Sequence, residues 1–245
     1  MATVTRGELF PRGILHAPAL LATGDRLSQA EFHRRYQQYP ESIKFELING
    51  TVYMASPQRV PHGRYTSRLA SVLSFYEMQT PGVENSVDST VILGDKSEPR
   101  PDLVLRVLPE YGGRTRTADL YVTGPPELVI EVAHSTVAID LHEKKSDYEH
   151  SQVGEYVVVC VEETQVYWFD LVSRRTKKLP ADGILRSRMF PGLWIDCPAL
   201  FAYDTKGLVR TLKKGLASPE HARFVKRLAK AAKTESQRQK RTRKN

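Results

Sequence analysis

Between residues 28 and 79 the apolar positions change period twice. Phe32, Tyr36 and Tyr39 recur every three or four residues behind Ser28-Gln29-Ala30-Glu31, which has the Ser-x-x-Glu spacing of a helix capping box. This pattern predicts a first helix from Ser28 to about Pro40. The period then drops to that of strands, with Phe45-Glu46-Leu47-Ile48 and Thr51-Val52-Tyr53-Met54 on either side of Asn49-Gly50. Asn and Gly both tolerate positive φ, so this pair suits the two-residue type I′ turn of a β-hairpin. From His62 to Gln79 the helical period returns, and Tyr65, Leu69, Val72, Leu73 and Tyr76 share one face until Thr80-Pro81-Gly82 stops the run.

Three β-rich runs follow, Val87 to Leu93, Asp102 to Leu108 and Glu127 to Ala133, and they read as core strands. Asp140 is placed to cap a helix that carries Lys144 and Tyr148 and ends before Gly154. Tyr156 to Val161 is dense in valine, as a strand buried on both faces would be. Gln165 to Leu171 and Thr176 to Leu179 would add antiparallel strands. Strands separated by a helix, then hairpins, give an α/β class with a mixed sheet flanked by helices. A further helix is expected from Ser218-Pro219, with Phe224, Leu228 and Ala231 as its apolar stripe. Beyond Thr234 no apolar period remains, and disorder is expected there.

Charge alters this picture at one end. The chain carries +8 overall, yet from Lys206 onward fourteen Lys and Arg face only Glu220 and Glu235, which leaves the rest net acidic. The basic character therefore describes a C-terminal tail, suited to a polyanion or equally to solubility. Cys160 and Cys197 lack the spacing of a zinc or redox pair and suit a reducing cytoplasm. Met1 to Gly13 holds no apolar export segment, and Ala17 to Ala22 is too short to span a bilayer. Neither export nor a membrane partner is expected.

Three acidic residues interrupt apolar runs: Glu46 in Phe45-Glu46-Leu47, Asp102 in Pro101-Asp102-Leu103, and Glu131 in Ile130-Glu131-Val132. A buried, unpaired carboxylate costs several kcal/mol, so such groups meet a cation, a metal or hydrogen-bond donors. Convergence on a divalent metal satisfies all three at once; strand residues facing water would satisfy each separately. Lys144 lies on the element after the Glu131 strand, and a short connection could return its ammonium to the strand end, where it could stabilise developing negative charge. A solvated helix lysine is the competing reading. His62 at a helix start could touch phosphate or act as a base, and Tyr148 shares the face of Lys144. His134 is a weaker candidate. No phosphate-binding Gly-x-x-x-x-Gly-Lys loop, Gly-x-Ser-x-Gly elbow or His-Glu-x-x-His helix is present.

An ordered set of short motifs runs from Phe-Glu-Leu-Ile-Asn-Gly through Pro-Gln-Arg-Val-Pro-His-Gly, Arg-Pro-Asp-Leu-Val and Pro-Glu-Leu-Val-Ile-Glu-Val with Ser135-Thr136. Asp140-Leu-His-Glu-Lys144-Lys-Ser-Asp-Tyr148 and Val-Gly-Glu-Tyr complete it. In this order they resemble the Uma family of restriction endonucleases, a branch of the PD-(D/E)XK nucleases, over about Leu27 to Leu171. The resemblance implies a restriction-endonuclease-like fold at 27–205, with an extension at 1–26 and a basic helical or disordered tail at 206–245. It implies that Asp102, Glu131 and the main-chain carbonyl of Val132 ligate Mg2+ or Mn2+, that Glu46 adds a carboxylate, and that Lys144 orients the nucleophile or stabilises the transition state. Ala133 stands where the wider superfamily has its lysine, so Lys144 must replace it. Thr51 and His134 also depart from the pattern.

The function this implies is metal-dependent hydrolysis of phosphodiester bonds in DNA, with a homodimer suited to cutting both strands. The alternative is an inactive nuclease-like module that binds nucleic acid or a protein. A third reading makes the basic tail a docking helix.

Overall fold

Asn49 and Gly50 both adopt left-handed backbone angles, with φ of 47° and 78°. The turn they make folds Phe45–Ile48 (β1) antiparallel onto Thr51–Met54 (β2), as the type I′ geometry requires. The computed structural model describes residues 20–134 and 136–242, and these form two units: residues 20–57 with 92–99, and residues 58–91 with 100–242. The β1–β2 hairpin belongs to the smaller unit, as does helix Gln29–Tyr36 (α1). Ser28 caps α1 by accepting the Glu31 amide hydrogen bond at 3.3 Å. The Glu31 carboxylate turns to Arg34 and Arg35. Leu21, Phe32, Phe45, Leu47 and Val52 make the core of this unit.

In the larger unit, Val60–Met78 (α2) carries the expected buried stripe of Tyr65, Leu69, Val72, Leu73 and Tyr76. The strands are Val83–Val87 (β3), Leu103–Val107 (β4), Arg116–Ala118 (β5), Tyr121–Thr123 (β6), Leu128–Ala133 (β7), Glu155–Cys160 (β8), Gln165–Asp170 (β9), Arg175–Lys177 (β10), Ile184–Arg186 (β11) and Trp194–Asp196 (β12). Six of them form one sheet in the order β10-β9-β8-β7-β4-β3. Every pair is antiparallel except β7 with β8, and a parallel pair needs a crossover. That crossover is a π-helical segment, Ile139–Lys144, continuing into helix Lys145–His150 (α3). Cys197–Phe201 (α4), Thr205–Leu216 (α5) and Pro219–Thr242 (α6) complete the unit.

Alternation along the strands sorts residues between the two faces of the sheet. Leu103, Leu105, Ile130, Val132 and Val157 join the α2 stripe, Leu208 and Leu212 of α5, and Phe224 and Leu228 of α6 in one core. The opposite face presents Glu131 and Tyr156, and α3 covers it: Tyr148 packs edge-on to Tyr156, and the Lys145 ammonium lies over Phe169.

Several expectations are corrected. The edge strand is Val83–Val87, and of the run Val87 to Leu93 only Val91–Ile92 is a strand, because Asp88 turns left-handed (φ 54°) and breaks the ladder. Asp140 is a buried residue inside the helical crossover and not its cap. The C-terminal segment is helical to Thr242, so disorder from Thr234 does not hold within the described residues. Its Gln, Lys, Arg and Glu residues favour helix, and no Gly or Pro follows Pro219 to stop propagation from the packed first turns. Past Lys206, Leu208 and Leu212 of α5 and Phe224 and Leu228 of α6 lie in the core. The β5–β6 and β11–β12 hairpins were unforeseen. The expectations for the first 19 residues, the absence of an export segment among them, lie outside the described residues. Among the described residues no helix is long and apolar enough to cross a membrane.

Candidate active site

The β4–β7 register pairs Leu103 with Ile130, and one step beyond it Asp102 comes alongside Glu131. The Asp102 amide donates to Glu131 Oε2 at 3.2 Å, and the Val132 amide donates back to Asp102 Oδ2 at 2.7 Å. Two carboxylates are thus held where the ladder ends, on a backbone that the rest of the sheet keeps rigid. Asp102 is 8% exposed and Glu131 3%, so each needs its partners.

For Asp102 these include His62, at the start of α2, whose Nε2 lies 3.0 Å from Oδ1 and 3.1 Å from Oδ2. Burial works against protonating His62, but the hydrogen bond to Asp102 and the charges of Asp102, Asp140 and Asp88 outweigh it. The imidazole pKa is raised from its ordinary value. Glu131 Oε1 accepts from Lys144 Nζ at 2.9 Å and from Tyr148 Oη at 3.1 Å.

The crossover explains why Lys144 arrives here. Leaving the end of β7, the chain makes a π-helical turn, a wider turn found often at functional sites. Asp140 and Lys144 both point inward from it, with Lys144 Nζ 3.6 Å from Asp140 Oδ1. Thr136 Oγ1 donates to Asp140 Oδ2, and Tyr156 Oη donates to the Asp140 carbonyl. Lys144 therefore stands between two carboxylates and is itself buried. Such a group is tightly positioned, because breaking a buried ion pair costs about 3–5 kcal/mol.

The structure thus brings together Asp102, Glu131, Val132, Lys144, His62 and Tyr148. Glu46 belongs to the smaller unit, half-buried on β1 opposite Tyr53. His134 faces Glu162 at 3.6 Å. Asp140 was missed as the second partner of Lys144; its i, i+4 spacing to the lysine was the available signal.

Among the described residues no cluster of three or more His, Cys, Asp or Glu side chains is arranged for a metal. The donors on offer are two carboxylates and backbone. In an extended strand the N–H and C=O of one residue point to the same side, so the Val132 carbonyl is directed, like its amide, toward the Asp102 side. Two carboxylates and one carbonyl are hard oxygens, a set that suits Mg2+ or Mn2+ completed by water.

The chain matches Uma2, a family described as "putative restriction endonuclease", over residues 30–198. It is also similar to a solved structure, "a putative nuclease belonging to DUF820" from Anabaena variabilis ATCC 29413. The TM-score is 0.57 at 14% identity, covering 69% of this chain and 97% of that one. At that identity the likeness carries the fold. No curated protein matches the chain.

Proposed function

The chain belongs to the Uma2 family, and from that premise we propose that it is a metal-dependent endonuclease that hydrolyses phosphodiester bonds in DNA. The observation that carries this reading is the convergence of Asp102, Glu131 and Lys144 at one end of β4 and β7, on adjacent strands and the crossover that follows. Asp102, Glu131 and the Val132 carbonyl would hold Mg2+ or Mn2+. The ion, when bound, supplies a Lewis acid for the phosphate and lowers the pKa of water.

The protein's own groups have separable tasks. Lys144 holds a positive charge beside Glu131, where it can orient an attacking water or donate to a phosphate oxygen as negative charge develops. Tyr148 and Asp140 fix the two ends of that Glu131–Lys144 pair. His62, with its raised pKa, keeps a proton on Nε2 toward Asp102 and orients that carboxylate. For Glu46 the reading rests on the resemblance alone. Cleavage of both strands would call for a homodimer, since one site serves one strand at a time.

A second reading, a nuclease-like module that binds without cutting, is favoured by one feature. Glu131 is already neutralised by Lys144, and Asp102 already has an amide and an imidazole, so the cluster is satisfied by protein groups. Incubation with supercoiled plasmid, single-stranded DNA and RNA in Mg2+ or Mn2+ separates the two. Nicking or linearisation of plasmid, abolished by EDTA, supports the endonuclease. Cutting of RNA alone moves the substrate class, and salt-sensitive binding without cutting supports the module.

A further inference from the structure

Helix α5 is amphipathic, with every charged residue of its outward face cationic. Leu208 and Leu212 are buried in the core, while Lys206, Arg210 and Lys213 recur at i, i+4 and i+7 on the opposite side, all exposed. They flank a shallow depression of about 440 Å³ with Thr205 and Val209. Thr205–Leu216 contains no Asp or Glu. Arg210 meets Asp204, the residue before α5, only at 4.0 Å, and Asp204 is already used as the helix cap, accepting from Gly207 N at 2.9 Å. Buried Leu208 and Leu212 fix the helix backbone from which these three charges project.

This face is joined to the candidate active site through α2. Tyr203, just before α5 and 39% exposed, packs tilted against Tyr65 at 5.1 Å between ring centroids and lies 4.4 Å beneath the Arg68 guanidinium. Arg68 also donates to the Arg64 carbonyl, while its buried Nε has no hydrogen-bond partner among the described residues. Arg64 is exposed two residues from His62, which contacts Asp102. At that spacing Arg64 points to the other side of α2 from His62. Six residues of α-helix span about 9 Å, so Arg64 and Arg68 lie within that axial distance of His62, and Arg68 meets the start of α5 at Tyr203.

We propose that Arg64, Arg68, Lys206, Arg210 and Lys213 form a ledge that grips the phosphate backbone of duplex DNA and leads it toward the Asp102–Glu131 site. This rests on the nuclease reading and says where its substrate lies. Along α5 the cations are spaced by about 4.5–6 Å, so each can meet its own phosphate on a polymer carrying one charge per about 1.7 Å of axis. A lipid surface fits less well, because the leucines an interfacial helix would insert are committed to the core. Tyr203 adds a flat, partly exposed ring that can pack on sugar or base.

The test is anisotropy of a labelled duplex in EDTA, so that binding is read without cleavage, across a salt series. Wild type is compared with Lys206→Gln/Arg210→Gln/Lys213→Gln and with Lys226→Gln/Lys230→Gln/Lys233→Gln, which removes equal charge from α6. The ledge variant is expected to bind about tenfold more weakly at 0.1 M salt, with a slope of log K on log salt shallower by about 2–3. The α6 variant should retain most of both. Equal losses in the two variants, or an unchanged ledge variant, overturn the proposal. So does a ledge variant that loses only binding to phosphatidylserine vesicles. Plasmid cleavage in Mg2+ by the same proteins is scored separately. Wild type that binds through the ledge and never cuts overturns the nuclease reading alone. A ledge variant that binds and cuts normally overturns the ledge alone.

Discussion

Lys144 Nζ lies 2.9 Å from Glu131 Oε1, thirteen residues away in sequence and across the β7-to-β8 crossover. Both side chains are buried, at 8% and 5% exposure, so each depends on its buried partners, and Lys144 also meets Asp140 at 3.6 Å. Lys144→Met should destabilise the protein by about 3–5 kcal/mol by leaving Glu131 and Asp140 without their cation. Lys144→Met with Glu131→Gln should recover much of that loss. Urea denaturation of the two variants checks this; equal stabilities would mean that solvent reaches the pair.

Leu212 is fully buried under the sheet. Leu212→Ala should cost about 2–5 kcal/mol, and truncation after Lys206 should unfold the larger unit rather than merely weaken DNA binding. Thermal melts of both, against the intact chain, decide between a structural α5 and an appended tail.

How much of this was legible in the sequence depends on where the deciding interaction lies. The Asn49-Gly50 hairpin and the α2 stripe are local, and turn chemistry or period alone reveals them. Glu131 was conspicuous because a carboxylate inside Leu128–Ala133 needs a partner. What escaped was long-range or chemically plain. Asp119 and Leu120 turn the β5–β6 hairpin with φ of 48° and 72°, though leucine is no turn signal. The placement of β3 depends on pairing with β4. The i, i+4 spacing of Asp140 to Lys144 is a local signal, but the π-helical turn that rotates both inward is not. The apolar residues of α5 stood out less than the dense charge around them, which hid a core helix inside a basic stretch.

His221 gives a pH dependence whose sign follows from its surroundings. It is buried on α6, with Nδ1 donating to the Leu216 carbonyl at 2.9 Å and Nε2 3.0 Å from Thr80 Oγ1. Burial lowers its pKa below the ordinary 6.5, despite the hydrogen bond to Leu216. The unfolded chain therefore binds the proton more readily. The stabilising contribution of neutral His221 is present above pH 6.5 and is lost as pH falls through the lowered folded value. His221→Gln should flatten the fall in urea midpoint between pH 7 and 5 relative to wild type; parallel curves would contradict this.

If Asp102, Glu131 and Lys144 form one hydrolytic centre, removing either carboxylate must stop hydrolysis. The most direct measurement is the rate of supercoiled plasmid cleavage in Mg2+ and Mn2+ for wild type, Asp102→Asn and Glu131→Gln, with folding of each confirmed by circular dichroism and EDTA as control. The wild-type rate is expected to be metal-dependent and to fall at least about a hundredfold in both near-isosteric variants, while their duplex binding in EDTA is retained. Cleavage that persists in folded Glu131→Gln, or in EDTA, would contradict it.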